Sequence, residues 1–298
     1  MSYKKKKKTK KNKNQTKRNQ KRNTTKNKKK NPKQDPLFKI QNEKLKNPKD
    51  NSLITLKSLW ATMGEQWYVN SSSYWHNDMS ADNHGMLGGL EYVSDVDLEG
   101  TEEYLSGIQW NSSPTRSLDC GAGIGRVTKV VLSKLFDKVD IQDVEQRFLD
   151  KAKENIDPEK LEQVFCCGLQ NFDIPQNHYD LIWVQWVAMY LTDKDFIKFL
   201  NKCSLALKPG GVLIIKGNTS SPKTLIDLDD HSICRTVKHF AEVFKHSKMK
   251  CTKATLQTKF PKDLFPIHIF HLIPIKKKIV KKNTQKKTIQ TETNKKQK

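Results

Sequence analysis

Three glycines fall within five residues at Gly121-Ala122-Gly123-Ile124-Gly125. They directly follow the short apolar run Arg116-Ser-Leu-Asp-Cys120 and directly precede Arg126 to Phe136, which reads as a helix. A strand, a glycine turn and a helix in that order admit few folds, because glycine lets the backbone turn tightly and approach a ligand closely. Lys138 to Val144 reads as a second strand carrying an acid at its end, Asp143, 18 residues beyond Gly125. An acid at that place accepts hydrogen bonds from the ribose hydroxyls of a bound nucleoside. The spacing Gly-x-Gly-x-Gly departs from the dinucleotide pattern Gly-x-Gly-x-x-Gly. Asp119, just before the loop, would repel a pyrophosphate and suits a ligand with positive charge. S-adenosylmethionine carries an amino group, a sulfonium and a ribose, and no phosphate.

The same alternation continues downstream. Glu145 to Asn155 reads as a helix, Gln163 to Cys167 as a third strand, and Tyr179 to Gln185 as a fourth, apolar enough to be central. Asp193 to Leu207 reads as a helix stopped by Lys208-Pro-Gly-Gly211. Val212 to Lys216 predicts a fifth strand, His231 to Ser247 a helix, and Ile267 to Ile273 a last strand. Strands alternating with helices predict a doubly wound, parallel α/β sheet over residues 116–274. Residues 50–115, rich in Trp60, Trp67, Tyr74, Trp75, Tyr92, Tyr104 and Trp110, predict an N-terminal cap to the same domain, with helices near Leu53–Trp60 and Glu102–Leu105.

Charge separates the ends from the middle. The chain of 298 residues has a formal net charge of +23. Residues 1–34 hold 17 Lys+Arg and no acid, and residues 275–298 hold 10 Lys and one acid, Glu292. Residues 35–274 are left with 28 basic and 31 acidic side chains, a net −3. Segments so poor in apolar residues do not offset the entropy of ordering, so residues 1–49 and 275–298 are expected to be disordered basic tails. Such tails fit a nuclear or nucleolar address, or loose contact with RNA, for a protein of the cytoplasm and nucleus. No apolar run approaches the roughly 18 residues of a membrane span. The six cysteines show no Cys-x-x-Cys pair, which predicts reduced thiols and no metal site.

Four blocks closely resemble the protein α-N-terminal methyltransferases, which methylate the amino terminus of Xaa-Pro-Lys/Arg proteins. They are Asp119-Cys-Gly-Ala-Gly-Ile-Gly-Arg126, Phe165-Cys-Cys-Gly-Leu-Gln170, Tyr179-Asp-Leu-Ile-Trp-Val-Gln-Trp186 and Ser232-Ile-Cys-Arg235. Gly85-Met-Leu-Gly-Gly89, preceded by Tyr74-Trp75, is similar to that family's N-terminal cap. The resemblance runs from about Tyr74 to Ile273 and implies the Rossmann-like, seven-stranded methyltransferase fold with S-adenosylmethionine as cofactor.

By the resemblance, cofactor contacts fall on Gly121, Gly123, Arg126, Asp143, Val144, Glu145, Leu169, Gln170 and Gln185. Arg126 is expected to pair with the cofactor carboxylate. On the substrate side, Trp75 and Trp186 are expected to hold the peptide's proline, with Asp227, Asp230 and Ser232 near its amine and third-position cation. As a competing expectation, Asp229 or Asp230 would cap a helix beginning near His231. Asp230, Asn218 and Tyr190 are the catalytic candidates. Two positions depart from the family: Tyr190 stands where a His is expected, and Gly217 where an acid usually precedes the Asn. A phenol is a poor base at neutral pH, so deprotonation or orientation of the amine is expected to fall to Asp230, with His84 and His231 as lesser substitutes. Two alternatives remain: a nucleic-acid methyltransferase using its basic tails to hold RNA, and a binding protein with a relic fold. Against the first, Val184-Gln-Trp-Val187 stands where a base-methylating enzyme carries an Asp/Asn-Pro-Pro-Tyr/Trp-like loop. Expected substrates include ribosomal or chromatin proteins.

Overall fold

The computed structural model of the chain describes residues 32–275. The expected disorder of the tails therefore concerns, for residues 1–31 and 276–298, residues outside those described. Within the described part, the folded body starts earlier than residue 50. Helix α1 (Pro36–Gln41) begins where Asp35 accepts the Leu37 N–H at 2.9 Å, with proline at its first position. Its Leu37 is buried in the main core, and Asp35 pairs with His246 at 2.8 Å. Strand β1 (Leu45–Lys46) pairs with β2 (Leu53–Ile54) and buries Leu45. Residues 35–49 thus belong to the body rather than the tail: two leucines with places to bury outweigh the basic average around them.

The cap continues through α2 (Leu56–Met63), started by a reciprocal Thr55–Ser58 capping box, and α3 (Gln66–Asn77). A short α4 (Asn83–Met86) and α5 (Ser94–Ser106) complete it. After β3 (Arg116–Cys120) and the glycine turn, the chain passes through a π-helical stretch, Thr128–Leu132, into α6 (Ser133–Leu135). Then follow β4 (Lys138–Asp143), α7 (Gln146–Asn155), β5 (Leu161–Cys166), β6 (Tyr179–Gln185), α8 (Asp193–Ala206) and β7 (Leu207–Asn218). A separate hairpin, β8 (Leu225–Asp227) with β9 (Ser232–Cys234), precedes α9 (Val237–Lys245), β10 (Met249–Leu256) and β11 (Ile267–Pro274).

Seven strands form one sheet in the order β10-β11-β7-β6-β3-β4-β5. The five from β7 to β5 are parallel, and β11 and β10 are antiparallel additions. Along β6, Ile182 and Val184 enter one buried cluster while Leu181 and Trp183 enter the other. Burial on both faces is why that strand reads as a continuous apolar run. The chain order reverses between β3 and β6, and this switch point opens a crevice at the strands' carboxyl ends.

Three expectations change. Lys208-Pro-Gly-Gly211 ends α8 but does not interrupt the strand, because Gly210 at φ +91° and a register shift between Tyr179 and Leu181 let β7 continue as a bulge. The helix expected from His231 is instead the hairpin strand β9 followed by α9. Thr236 caps α9 through the His239 N–H, so neither Asp229 nor Asp230 caps a helix. Strand β10 had no counterpart in the sequence reading.

Candidate active site

A cleft with roughly 1030 Å³ of empty space, counting the part open to solvent, lies at the switch point. One half is built from the glycine turn and the ends of β4, β5 and β6. Gly121, Gly123 and Gly125 all have positive φ, at +68°, +55° and +77°. A Cβ on Gly121 would meet Val187 at 2.6 Å, so the turn needs glycine both for its backbone and for close packing. Asp143 holds the turn: its Oδ2 accepts the Gly123 N–H at 2.9 Å and its Oδ1 the Glu145 N–H at 3.0 Å. Burial pushes the Asp143 carboxyl up, and these N–H groups pull it back. Asp119 is buried, accepts from Thr128 Oγ1 at 2.6 Å, and is pushed by burial up to about 7.

Val144, Leu169, Gln170 and Gln185 line this half as expected, although Leu169 is also a member of the main core. Glu145 does not line it. Its carboxylate lies beside the His76 imidazole, at 3.1 Å, in a neighbouring groove. Arg126 lines the cleft, but its Nη2 already donates to Asp97 Oδ2 at 2.5 Å. Its Nη1 is buried with no partner. An unpaired guanidinium N–H beside a glycine turn fits the carboxylate of S-adenosylmethionine.

The other half meets the cap and the hairpin. Trp75 stacks edge-on against Tyr190, ring centroids 6.1 Å apart. The Tyr190 hydroxyl donates to Asp230 Oδ2 at 3.2 Å. Trp186 Nε1 donates to Asn218 Oδ1 at 3.2 Å, and Trp186 holds the uncommon φ of +52°. Trp75, Trp186 and Tyr190 line the cleft; Asn218 and Asp230 adjoin it through those two hydrogen bonds. Burial pushes Asp230 up to about 6; Ser232 lowers it and the charge of Asp227 raises it again. Asp230 Oδ1 is buried without a partner. Ser232 is buried and Asp227 exposed, at the two ends of the hairpin turn. Burial raises the Tyr74 phenol, and the charges of Asp230 and Asp227 add to this. Neither histidine substitute reaches the cleft: His84 is paired with Glu91 at 2.6 Å, and His231 packs on Trp67, 5.6 Å between centroids.

Residues 63–273 match the family described as AdoMet dependent proline di-methyltransferase. The chain belongs to this family. It is similar to N-terminal Xaa-Pro-Lys N-methyltransferase 1 of Xenopus tropicalis, 40% identical over 212 residues that span 69% of this chain and 93% of that protein. It is 38% identical over 216 residues to alpha N-terminal protein methyltransferase 1 of Caenorhabditis elegans, covering 71% and 92% of the two chains. Among solved structures, a SAM-dependent methyltransferase of Leishmania major superposes with a TM-score of 0.71 at 33% identity, covering 75% of this chain and 94% of that one. The protein is an enzyme of the S-adenosylmethionine-dependent methyltransferase class, with the seven-stranded fold that the resemblance implied.

The methyltransferase cleft rests on residues that the sequence did not single out. Asp97 on α5 is fully buried and accepts from Gln185 Nε2 at 2.9 Å at both oxygens, besides Arg126. Fully buried Arg235, the last residue of the Ser-Ile-Cys-Arg block, donates to the Ala188 carbonyl at 3.1 Å and the Leu191 carbonyl at 2.5 Å. It also pairs with Asp193 at 2.9 Å. It therefore straps the β8–β9 hairpin, with Asp230, to the turn that carries Tyr190. Trp67 Nε1 donates to the Tyr190 carbonyl at 2.7 Å from the cap side. The one signal for Arg235 was its place in a family-like block. Asp97 gave none, since an acid in a helix's first turn is explained by the helix dipole alone. Among the described residues, no group of three or more His, Cys, Asp or Glu is placed to hold a metal, and no helix is long and apolar enough to cross a membrane.

Proposed function

We propose that this enzyme transfers methyl groups from S-adenosylmethionine to the α-amino nitrogen of protein chains beginning Xaa-Pro-Lys or Xaa-Pro-Arg. The observation that carries this reading is the pairing of an aromatic wall, Trp75, Trp186 and Tyr190, with a hairpin bearing Asp227, Asp229 and Asp230. A proline ring fits against aromatic faces, and carboxylates fit a free amine and a third-position cation.

When bound, the cofactor supplies a methyl group made electrophilic by its sulfonium. Arg126 Nη1 would hold its carboxylate, Asp143 would take its ribose hydroxyls, and Val144 and Leu169 would give apolar contact to its adenine. Gln185 closes the edge of β6. The α-amino group must present a neutral lone pair, and its ordinary pKa of about 7.7–8.0 leaves a fraction neutral at working pH. Asp230, ionised above about 6, accepts a hydrogen bond from the amine and draws off its proton. Tyr190 donates to that carboxylate and walls the amine; burial and the adjoining charge of Asp230 keep its own phenol protonated. Asn218 orients Trp186 and offers its amide to the peptide backbone. The lysine-rich segments at both ends support a nuclear or nucleolar destination, contact with nucleic acid, and substrates among ribosomal or chromatin proteins.

The test is incubation with methyl-labelled cofactor and peptides beginning Ser-Pro-Lys or Ser-Gln-Lys, read by mass spectrometry. Label on the α-nitrogen of the first peptide and not the second is expected. Equal labelling of both, or labelling of RNA and neither peptide, overturns the reading.

A further inference from the structure

Beneath the cofactor half of the cleft lies a buried charge cluster centred on Asp97. Lys216, on β7, is 1% exposed, and Asp97 is 0% exposed. Lys216 Nζ lies 2.5 Å from Asp97 Oδ1 and donates to the Asp97 carbonyl at 2.8 Å and to Thr101 Oγ1 at 2.7 Å. Asp97 also takes Arg126 Nη2 and Gln185 Nε2, while Trp183 Nε1 donates to Gln185 Oε1 at 3.2 Å. All of the Asp97 carboxylate is therefore spent inside the cluster. Two cations share the Asp97 carboxylate, a second buried carboxylate, Asp119, also acts on Arg126, and Arg126 Nη1 is a buried donor without a partner.

We propose that Asp97 is the positioning residue that aims Arg126 and Gln185 at the cofactor, and that Lys216, which shares Asp97 with Arg126, couples binding of the cofactor's carboxylate to its own protonation. The inference rests on the methyltransferase reading of the cleft. A buried donor without a partner is disfavoured, and an arriving carboxylate supplies the partner that Arg126 Nη1 lacks. The groups facing Lys216 are few. Asp97 comes from α5 and Arg126 from the helix after the glycine turn. Its sheet neighbours, Gln185 on β6 and Ile269 on β11, carry no charge. Asp119 acts one step removed, through Arg126. Burial pulls Lys216 down to about 8, Asp97 raises it, and Arg126 lowers it. A carboxylate on Arg126 cancels that last repulsion, so Lys216 holds its proton more tightly in the complex. The sign follows by linkage: binding takes up a proton above about pH 8, and affinity falls as pH rises through that range.

Calorimetric titration of the full chain with S-adenosylhomocysteine, in buffers of different ionisation enthalpy, measures this proton directly. A second probe, 5′-S-(3-carboxypropyl)-5′-thioadenosine, keeps the carboxylate but lacks the titrating amine. Both should bind about tenfold more weakly at about pH 9.5 than at about pH 7.5, with net proton uptake in between. Methylthioadenosine, which has no carboxylate, should show no uptake. Lys216→Arg keeps the charge and should lose the fall in carboxypropyl-probe affinity above about pH 8, leaving only what Asp119, at about 7, contributes below it. Asp97→Asn should weaken both carboxylate ligands about tenfold or more while leaving methylthioadenosine affinity within twofold, a difference that general loss of fold would not give. Uptake that persists undiminished in Lys216→Arg, pH-independent binding of the carboxypropyl probe to the native chain, or equal weakening of all three ligands by Asp97→Asn overturns the proposal. Failure of the native chain to bind any of the three nucleosides would instead remove the methyltransferase reading itself.

Discussion

The two halves of the cleft are built in different ways. The cofactor half sits on the ends of parallel strands, and its parts are local: Asp143 holds the Gly123 N–H directly, and the glycine turn packs on Val187. The substrate half is assembled from pieces distant in sequence. Asp230 sits on a three-residue-stranded hairpin, Tyr190 on a turn after β6, and Trp75 on the cap. Its geometry depends on braces that never reach the cleft, above all Arg235 with Asp193, and Trp67. The first half needs particular backbone conformations, whereas the second needs particular long-range contacts.

The sharpest way to break that contrast is to cut a brace. Asp193→Ala leaves buried Arg235 and His239 without their carboxylate and should cost about 3–5 kcal/mol in a denaturant melt. The Arg235 guanidinium and the hydrogen bond from His239 hold Asp193 well below the usual carboxylate range, so this stabilisation is complete above about pH 4 and lost as pH falls below it. Acid melts of the native protein should show that loss, and the variant should lack it. Next, Asp230→Asn should lower kcat about 100-fold with little change in cofactor affinity. It should also erase an acid limb near pH 6, where ionisation of Asp230 switches the native enzyme on. A smaller effect is expected on the other side. Gly121→Ala puts a Cβ at a positive φ and against Val187, and should weaken S-adenosylhomocysteine about tenfold in calorimetry while lowering stability by only about 1–2 kcal/mol in a melt, less than Asp193→Ala. Smallest is Tyr190→Phe, which removes one hydrogen bond to Asp230 and should slow turnover about threefold. If Gly121→Ala instead raised the peptide KM and spared cofactor binding, the division into halves would be wrong.

The sequence was readable where the chemistry is local. The glycine turn, Asp143 and the apolar β6 declared themselves by spacing and by burial on both faces. The hairpin did not, because three-residue strands carry too little alternation to compete with the helical period that begins at His231. Strand β10 was hidden for a different reason: it is an edge strand, mostly exposed, whose lysines and threonines suit an open edge but carry no apolar run. Asp97, Lys216 and Arg235 were invisible as a group. Charged residues are ordinarily read as surface, and only the folded sheet shows that these three are buried.

The fastening of α3 joins what the two halves separate. Arg147, at the start of α7, donates to the Trp75 carbonyl at 2.5 Å and to that of Met79, and so ties the aromatic wall to the corner that carries Asp143, Val144 and Glu145. The affinity of a peptide should depend on whether nucleoside is present, and thermodynamic reciprocity requires the peptide to change nucleoside affinity by the same factor.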